Sequence, residues 1–231
     1  FEWPEHLKGA LDRNRSDLGQ RMIEIVEREI EGWTVDVDIQ LLEGFDEALG
    51  ARVLALLKHQ LFGVGLLMPK DRLEKLRQVR IRLDRDNPTL KGIQYHPSRR
   101  WLEDHGHDPR LAKVVHVPQA AAFVSRSLSA AQPWVILHEL AHAYHDQILG
   151  FDHPPIVESF RRAQETGQYE QVRHIGGSVT QHYALTDPKE YFAEATEAYF
   201  GANDFFPFVR AELAEHDPTL YAILREIWGG L

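Results

Sequence analysis

No cysteine occurs in the 231 residues. That excludes disulfides, thiolate nucleophiles and any zinc or iron–sulfur centre held by sulfur, so a metal here has only histidine nitrogens and carboxylate oxygens to bind. Nor is there a run of about 18 apolar residues, the length that spans a bilayer, so no transmembrane segment is expected. Positive charge is scarce: 26 Lys and Arg against 35 Asp and Glu give a net charge of −9 with no basic tract, which argues against nucleic acid as a partner. The first residue is Phe1 rather than Met. A processed precursor would read this way, and the expectation drawn from it is a secreted or periplasmic protein; a cysteine-free chain suits the cytoplasm as well. None of these features speaks to oligomeric state.

Histidine, in contrast, is plentiful at 13 residues. Two of them stand in the run Pro133 to Leu149, PWVILHELAHAYHDQIL, as His138-Glu139-Leu140-Ala141-His142. On an α-helix, residues four apart differ by about 40° in azimuth and one turn in height. Both imidazoles therefore point the same way and can share one metal ion, with Glu139 beside them to take a proton from water. Pro133 suits a first turn, and Val135, Ile136, Leu137, Leu140, Ala141, Tyr144, Ile148 and Leu149 make the helix apolar around much of its girth. Polar groups inside such a helix need a partner or a metal.

Elsewhere the pattern predicts one helix-rich α+β domain over 1–231, with a small mixed sheet before the motif helix and helices after it. Residues 1–112 supply N-terminal helices and strands; residues 113–231 supply an edge strand, the motif helix and the third-ligand helix. In detail, Asp17 to Glu31 has the spacing of an amphipathic helix, and Trp33 to Ile39 alternates as a strand with Trp33, Val35, Val37 and Ile39 inward. Glu47 to Leu61 is a buried helix closed by a glycine-bearing stretch from Gly63, Pro69 to Gln78 a short charged helix, and Val79 to Leu83 a strand. Residues 89–112 read as loop. Val114 to Val117 is a strand, a candidate for the sheet edge where an extended peptide could lie, with a plain core strand as the alternative. Helices follow at about Ile156 to Thr166, Pro188 to Phe200, Val209 to Ala214 and after Pro218, with a loop from Gly167 to Thr186.

A catalytic zinc takes three protein ligands and an open position. His145 lies on nearly the same face as His138 and His142, but three ligands along one helix span about 10 Å and cannot converge on one ion. It is expected nearby, not in the inner shell. Glu190, Glu194 and Glu197 form a carboxylate stripe on the helix that Asp187-Pro188 opens. In Asp187-Pro-Lys-Glu190 the glutamate could reach back to the Asp187 amide as a capping box. Because mostly apolar groups fill the other positions, some of the stripe faces inward, where it needs a cation or donors. Spacing leaves both Glu190 and Glu194 eligible as third ligand.

His138-Glu-Leu-Ala-His142, followed by Tyr183-Ala-Leu-Thr-Asp-Pro-Lys-Glu190-Tyr-Phe-Ala-Glu194-Ala, resembles the zincin-like gluzincin metallopeptidases, the family of the anthrax lethal factor catalytic domain. The matching segment runs from about Val114 to Gly201. The resemblance implies a zincin-like fold, one catalytic Zn2+ on His138, His142 and Glu190, and Glu194 supporting the site from behind through a ring nitrogen of a ligand imidazole. It also implies that Tyr183 stabilises the transition state. The function it implies is a zinc-dependent endopeptidase acting on peptide or protein substrates through a metal-activated water, with Glu139 as general base. Two alternatives carry different consequences. A non-catalytic zinc-binding interaction module would close the site with a fourth ligand, His145 or Glu194. A zinc hydrolase of a non-peptide amide would keep every catalytic residue.

Overall fold

The computed structural model describes residues 24–230. Its first element is not the helix that the spacing of Ile25, Val26 and Ile30 predicts. Strand β1 (Ile25–Ile30) pairs antiparallel with β2 (Trp33–Asp38), Ile30 opposite Trp33. The part of the expected helix before residue 24 lies outside the described residues. The reason for the change is the two-residue turn: Glu31 and Gly32 have φ of 52° and 89°, the left-handed pair that matches hairpin twist. The turn and the alternating β2 recruit the β-branched run before them, and helical spacing loses to pairing.

Helix α1 (Glu47–Leu67) runs straight through Gly63 and Gly65 instead of ending before them, and α2 (Lys70–Leu76) leads into β3 (Arg80–Leu83). β4 (Gln94–Tyr95), α3 (Arg99–Asp104) and β5 (Val114–Val117) follow. The sheet order is β1-β2-β3-β5-β4, parallel across β2, β3 and β5 and antiparallel at both ends. Val114 to Val117 is therefore an inner strand and not the candidate edge strand, with all four residues buried. The edge belongs to the two residues of β4, which cover it.

Short helices α4 (Ala120–Phe123) and α5 (Arg126–Ala131) lead to the motif helix α6 (Val135–Tyr144), continued by a π-helical turn over His145–Leu149. The chain then forms α7 (Pro154–Thr166), the hairpin β6 (Val172–Arg173) and β7 (Val179–Thr180), α8 (Pro188–Phe200), α9 (Arg210–His216) and α10 (Pro218–Trp228). The architecture is α+β, helix-rich, with its five-stranded mixed sheet entirely before the motif helix.

One apolar core runs from Trp33, Val35 and Ile81 on the sheet through Leu57 and Leu61 of α1 to Leu140, Phe192 and Trp228. Three sets of contacts brace the motif helix and α8 beside it. Gln60 of α1 accepts the Ile136 N–H at 3.2 Å, supplying a partner in the first turn. Trp134, just before the helix, lies against Gly63 and Gly201, where a side chain on Gly201 would come within 2.1 Å of the indole nitrogen. Behind α8, Trp228 stacks on Phe192 at 5.6 Å and donates its indole N–H to Thr196 at 3.0 Å. No helix among the described residues is long and apolar enough to cross a membrane.

Candidate metal centre and its cleft

The helical repeat brings the His138 and His142 Nε2 atoms to 3.1 Å from each other. Glu190, in the first turn of α8, places Oε2 at 3.1 Å from the first and 3.3 Å from the second. Asp187 sets that first turn: its carboxylate accepts the Lys189 and Glu190 amides at 2.7 and 3.1 Å. Only half of the capping box forms, because the Glu190 carboxylate turns to the two imidazoles instead of back to Asp187. Of the two eligible glutamates, Glu190 is the one that joins them.

Three donors at 3.1 to 3.3 Å from one another fit a small cation. Bonds of about 2.0–2.1 Å in a tetrahedron put ligand atoms about 3.3 Å apart. Electrostatics agree. Burial pushes the His138 imidazolium down, yet Glu190 and Glu197 carry it well above the ordinary histidine range. For Glu190, burial is outweighed by hydrogen bonds from His138 and His142, which hold it well below the usual carboxylate range. Positive charge between these donors is favoured.

The other nitrogen of His138 is held from behind. Glu197 Oε1 lies 2.7 Å from Nδ1, whereas Glu194 Oε1 is 3.8 Å away, beyond hydrogen-bond reach. The orienting contact expected of Glu194 is made by Glu197, one turn further along the stripe. Glu194 is buried with Oε2 unpaired and 3.8 Å from His182 Nδ1. Burial, reinforced by the Glu197 charge, pushes its pKa well above the carboxylate range. His138, Glu194 and Glu197 also lie close enough to suggest an ion. That grouping needs the same Nδ1 that the Glu197 hydrogen bond occupies, so the two arrangements exclude each other.

Glu139 is buried, and its Oε2 accepts the Tyr95 N–H at 2.6 Å. Burial raises its pKa, offset in part by the charges of His138 and His142. Tyr183 stands half exposed in the same cleft, its hydroxyl pKa raised by burial and then by the Glu190 charge. His145, near in sequence, joins neither group. Its ring packs against Phe151 and Phe192 at 5.2 and 5.0 Å, with both nitrogens unpaired. Neither His145 nor Glu194 closes the triad as a fourth ligand.

A cleft of about 800 Å³ opens over the triad. It is lined by Ile93, Gln94 and Tyr95 of the sheet edge, by Leu128, Ala131 and Val135, and by Phe151, Tyr183 and Lys189. The edge strand is fixed to the sheet by a buried chain. His96 Nε2 is 3.3 Å from His116 Nδ1, His116 Nε2 is 2.9 Å from Asp84, and Arg82 donates to Asp84 at 2.6 Å. Burial drives the His96 pKa down to about 4; for Asp84, burial is overcome by His116 and Arg82 and the pKa falls to about 2.

Two contributors escape the sequence reading. Glu197 sits in the stripe, but spacings of four and three cannot say which carboxylate reaches the ring. Tyr95 lies in a stretch read as loop, and nothing local marks its amide as a partner of Glu139. No family model matches the chain, and neither does any curated protein or solved structure.

Proposed function

We propose that this chain is a zinc-dependent endopeptidase of zincin-like fold. The observation that carries the reading is the convergence of His138 Nε2, His142 Nε2 and Glu190 Oε2 to within 3.3 Å of one another, with the Glu139 carboxylate in the same cleft. The donor set, two imidazoles and one carboxylate, is that of catalytic zinc in hydrolases. When bound, the metal supplies Lewis acidity toward water and toward a carbonyl oxygen.

The protein's own groups do the rest. Glu197 keeps the Nδ1 proton of His138 engaged, so that Nε2 offers its lone pair to the metal position. Glu139, whose pKa is raised by burial, takes a proton from the attacking water and gives it to the leaving amine. Tyr183 presents its hydroxyl to the developing oxyanion. The substrate's main chain lies along β4: His96 N–H bonds to Val114 on the sheet side, so by strand alternation the Ile93 and Tyr95 carbonyls point outward and can pair with an extended peptide.

The test measures zinc content and cleavage of a peptide library by the parent and by Glu139→Gln. Zinc is expected at parental stoichiometry with the rate reduced by about 10²–10⁴-fold; a variant as active as the parent would sink the assignment. Glu190→Ala should empty the site while Glu194→Ala keeps its metal, and the reverse result would move the third ligand.

A further inference from the structure

Tyr95 touches the motif helix twice, and the reading above uses neither contact. Its amide is given to Glu139 Oε2 at 2.6 Å. Its hydroxyl donates to Asp146 Oδ2 at 2.6 Å and accepts from Gln147 Nε2 at 3.0 Å. Asp146 and Gln147 belong to the π turn that continues the helix, so one edge residue grips that helix at its base and beyond its end. Asp146 is further paired with Lys113, just before β5.

A two-residue edge strand frays unless something ties it down, and an edge amide is ordinarily left to water or to an incoming strand. β4 is tied on both flanks, by the His96–His116–Asp84 chain on the sheet side and by Asp146 and Gln147 on the helix side. Its outward amide is committed to Glu139. Among the described residues the other oxygen, Oε1, takes no hydrogen bond, so it is the one left to face the cleft.

We propose that Tyr95 is a positioning residue for Glu139: its main-chain N–H, braced by its hydroxyl on Asp146 and Gln147, fixes the carboxylate so that Oε1 is presented to the cleft. The kinetic consequence rests on the peptidase reading; the contact itself does not. Two measurements on the full chain separate them. In ¹H–¹⁵N spectra the Tyr95 amide is expected downfield and protected, exchanging about tenfold or more slower in the parent than in Glu139→Ala. Equal exchange in the two would overturn the proposal. In kinetics, Tyr95→Phe keeps the ring and the amide but loses the brace. Its kcat should fall about tenfold or more with KM within about twofold and metal content unchanged. Asp146→Asn, which still accepts from the hydroxyl, should stay close to the parent. A parental kcat in Tyr95→Phe, or a loss of metal in step with kcat, would count against positioning. If the parent cleaves no peptide, the peptidase reading falls while amide exchange still decides whether Tyr95 holds Glu139.

Discussion

His145 occupies the core with both ring nitrogens unpaired, which costs about 1–3 kcal/mol relative to an apolar group of similar shape. Burial holds it neutral, with a pKa of about 4. The unfolded chain takes up that proton near pH 6.5. Protonation therefore favours unfolding, and the stability tied to the neutral ring is present above about pH 6.5 and lost as pH falls toward 4, by on the order of 3 kcal/mol at the lower end. His145→Leu should equal or exceed the parent in urea denaturation at pH 7.5, pull further ahead as pH drops to 4.5, and keep its metal. Loss of metal in that variant would return His145 to the site. At the proposed metal position, Glu197→Gln should weaken zinc binding about 10–100-fold in chelator competition. Glu194→Gln, lacking the hydrogen bond to His138, should weaken it less; the opposite ranking would restore Glu194 to the role expected from the sequence.

At the scale of elements, α8 carries Glu190, the proposed third ligand, and ten consecutive buried residues, Tyr191 to Phe200. Its N-terminal turn depends on Asp187, whose carboxylate takes the amide of Glu190 itself. Asp187→Ala should cost about 1 kcal/mol, read as a fall of about 2–4 °C in Tm for a chain of this size. An unchanged Tm would mean that packing alone holds the turn. This helix was legible from its Asp-Pro start, its apolar run and the glycine beyond; β2 and β3 were legible from period two, and β5 from a valine run that Pro118 stops. β4 was not, because two residues between Gly92 and Pro97 carry no periodicity. β1 was misread because a hairpin turn decided the matter, and turn pairing is not visible in the spacing of Ile25, Val26 and Ile30.

For the molecule as a whole, the class and the longer elements could be read from the chain, and the short strands and the sheet order could not. Val114 to Val117 became an inner strand only because Gln94–Tyr95 folds back over it, a pairing between segments about twenty residues apart that leaves no local trace. The candidate metal triad divides the same way. His138 and His142 are fixed by helical geometry, while Glu190 arrives from about fifty residues on, and only α8 packing against α6 distinguishes it from Glu194.

The indole of Trp134 fills the space a side chain would need on Gly201, and nearly so on Gly63, where a Cβ would stand 3.0 Å from the ring. Mutational history should record this. In a library that replaces each residue and selects for folded protein, position 201 should reject even alanine. Position 65, a glycine on the same helix as Gly63 with no atom near its missing Cβ, should accept alanine with a gain of about 0.5–1 kcal/mol. Suppressors of Gly201→Ala should arise at position 134 as smaller residues. The two sites are free to drift only together, and tolerance of alanine at 201 beside an intact Trp134 would contradict the packing described.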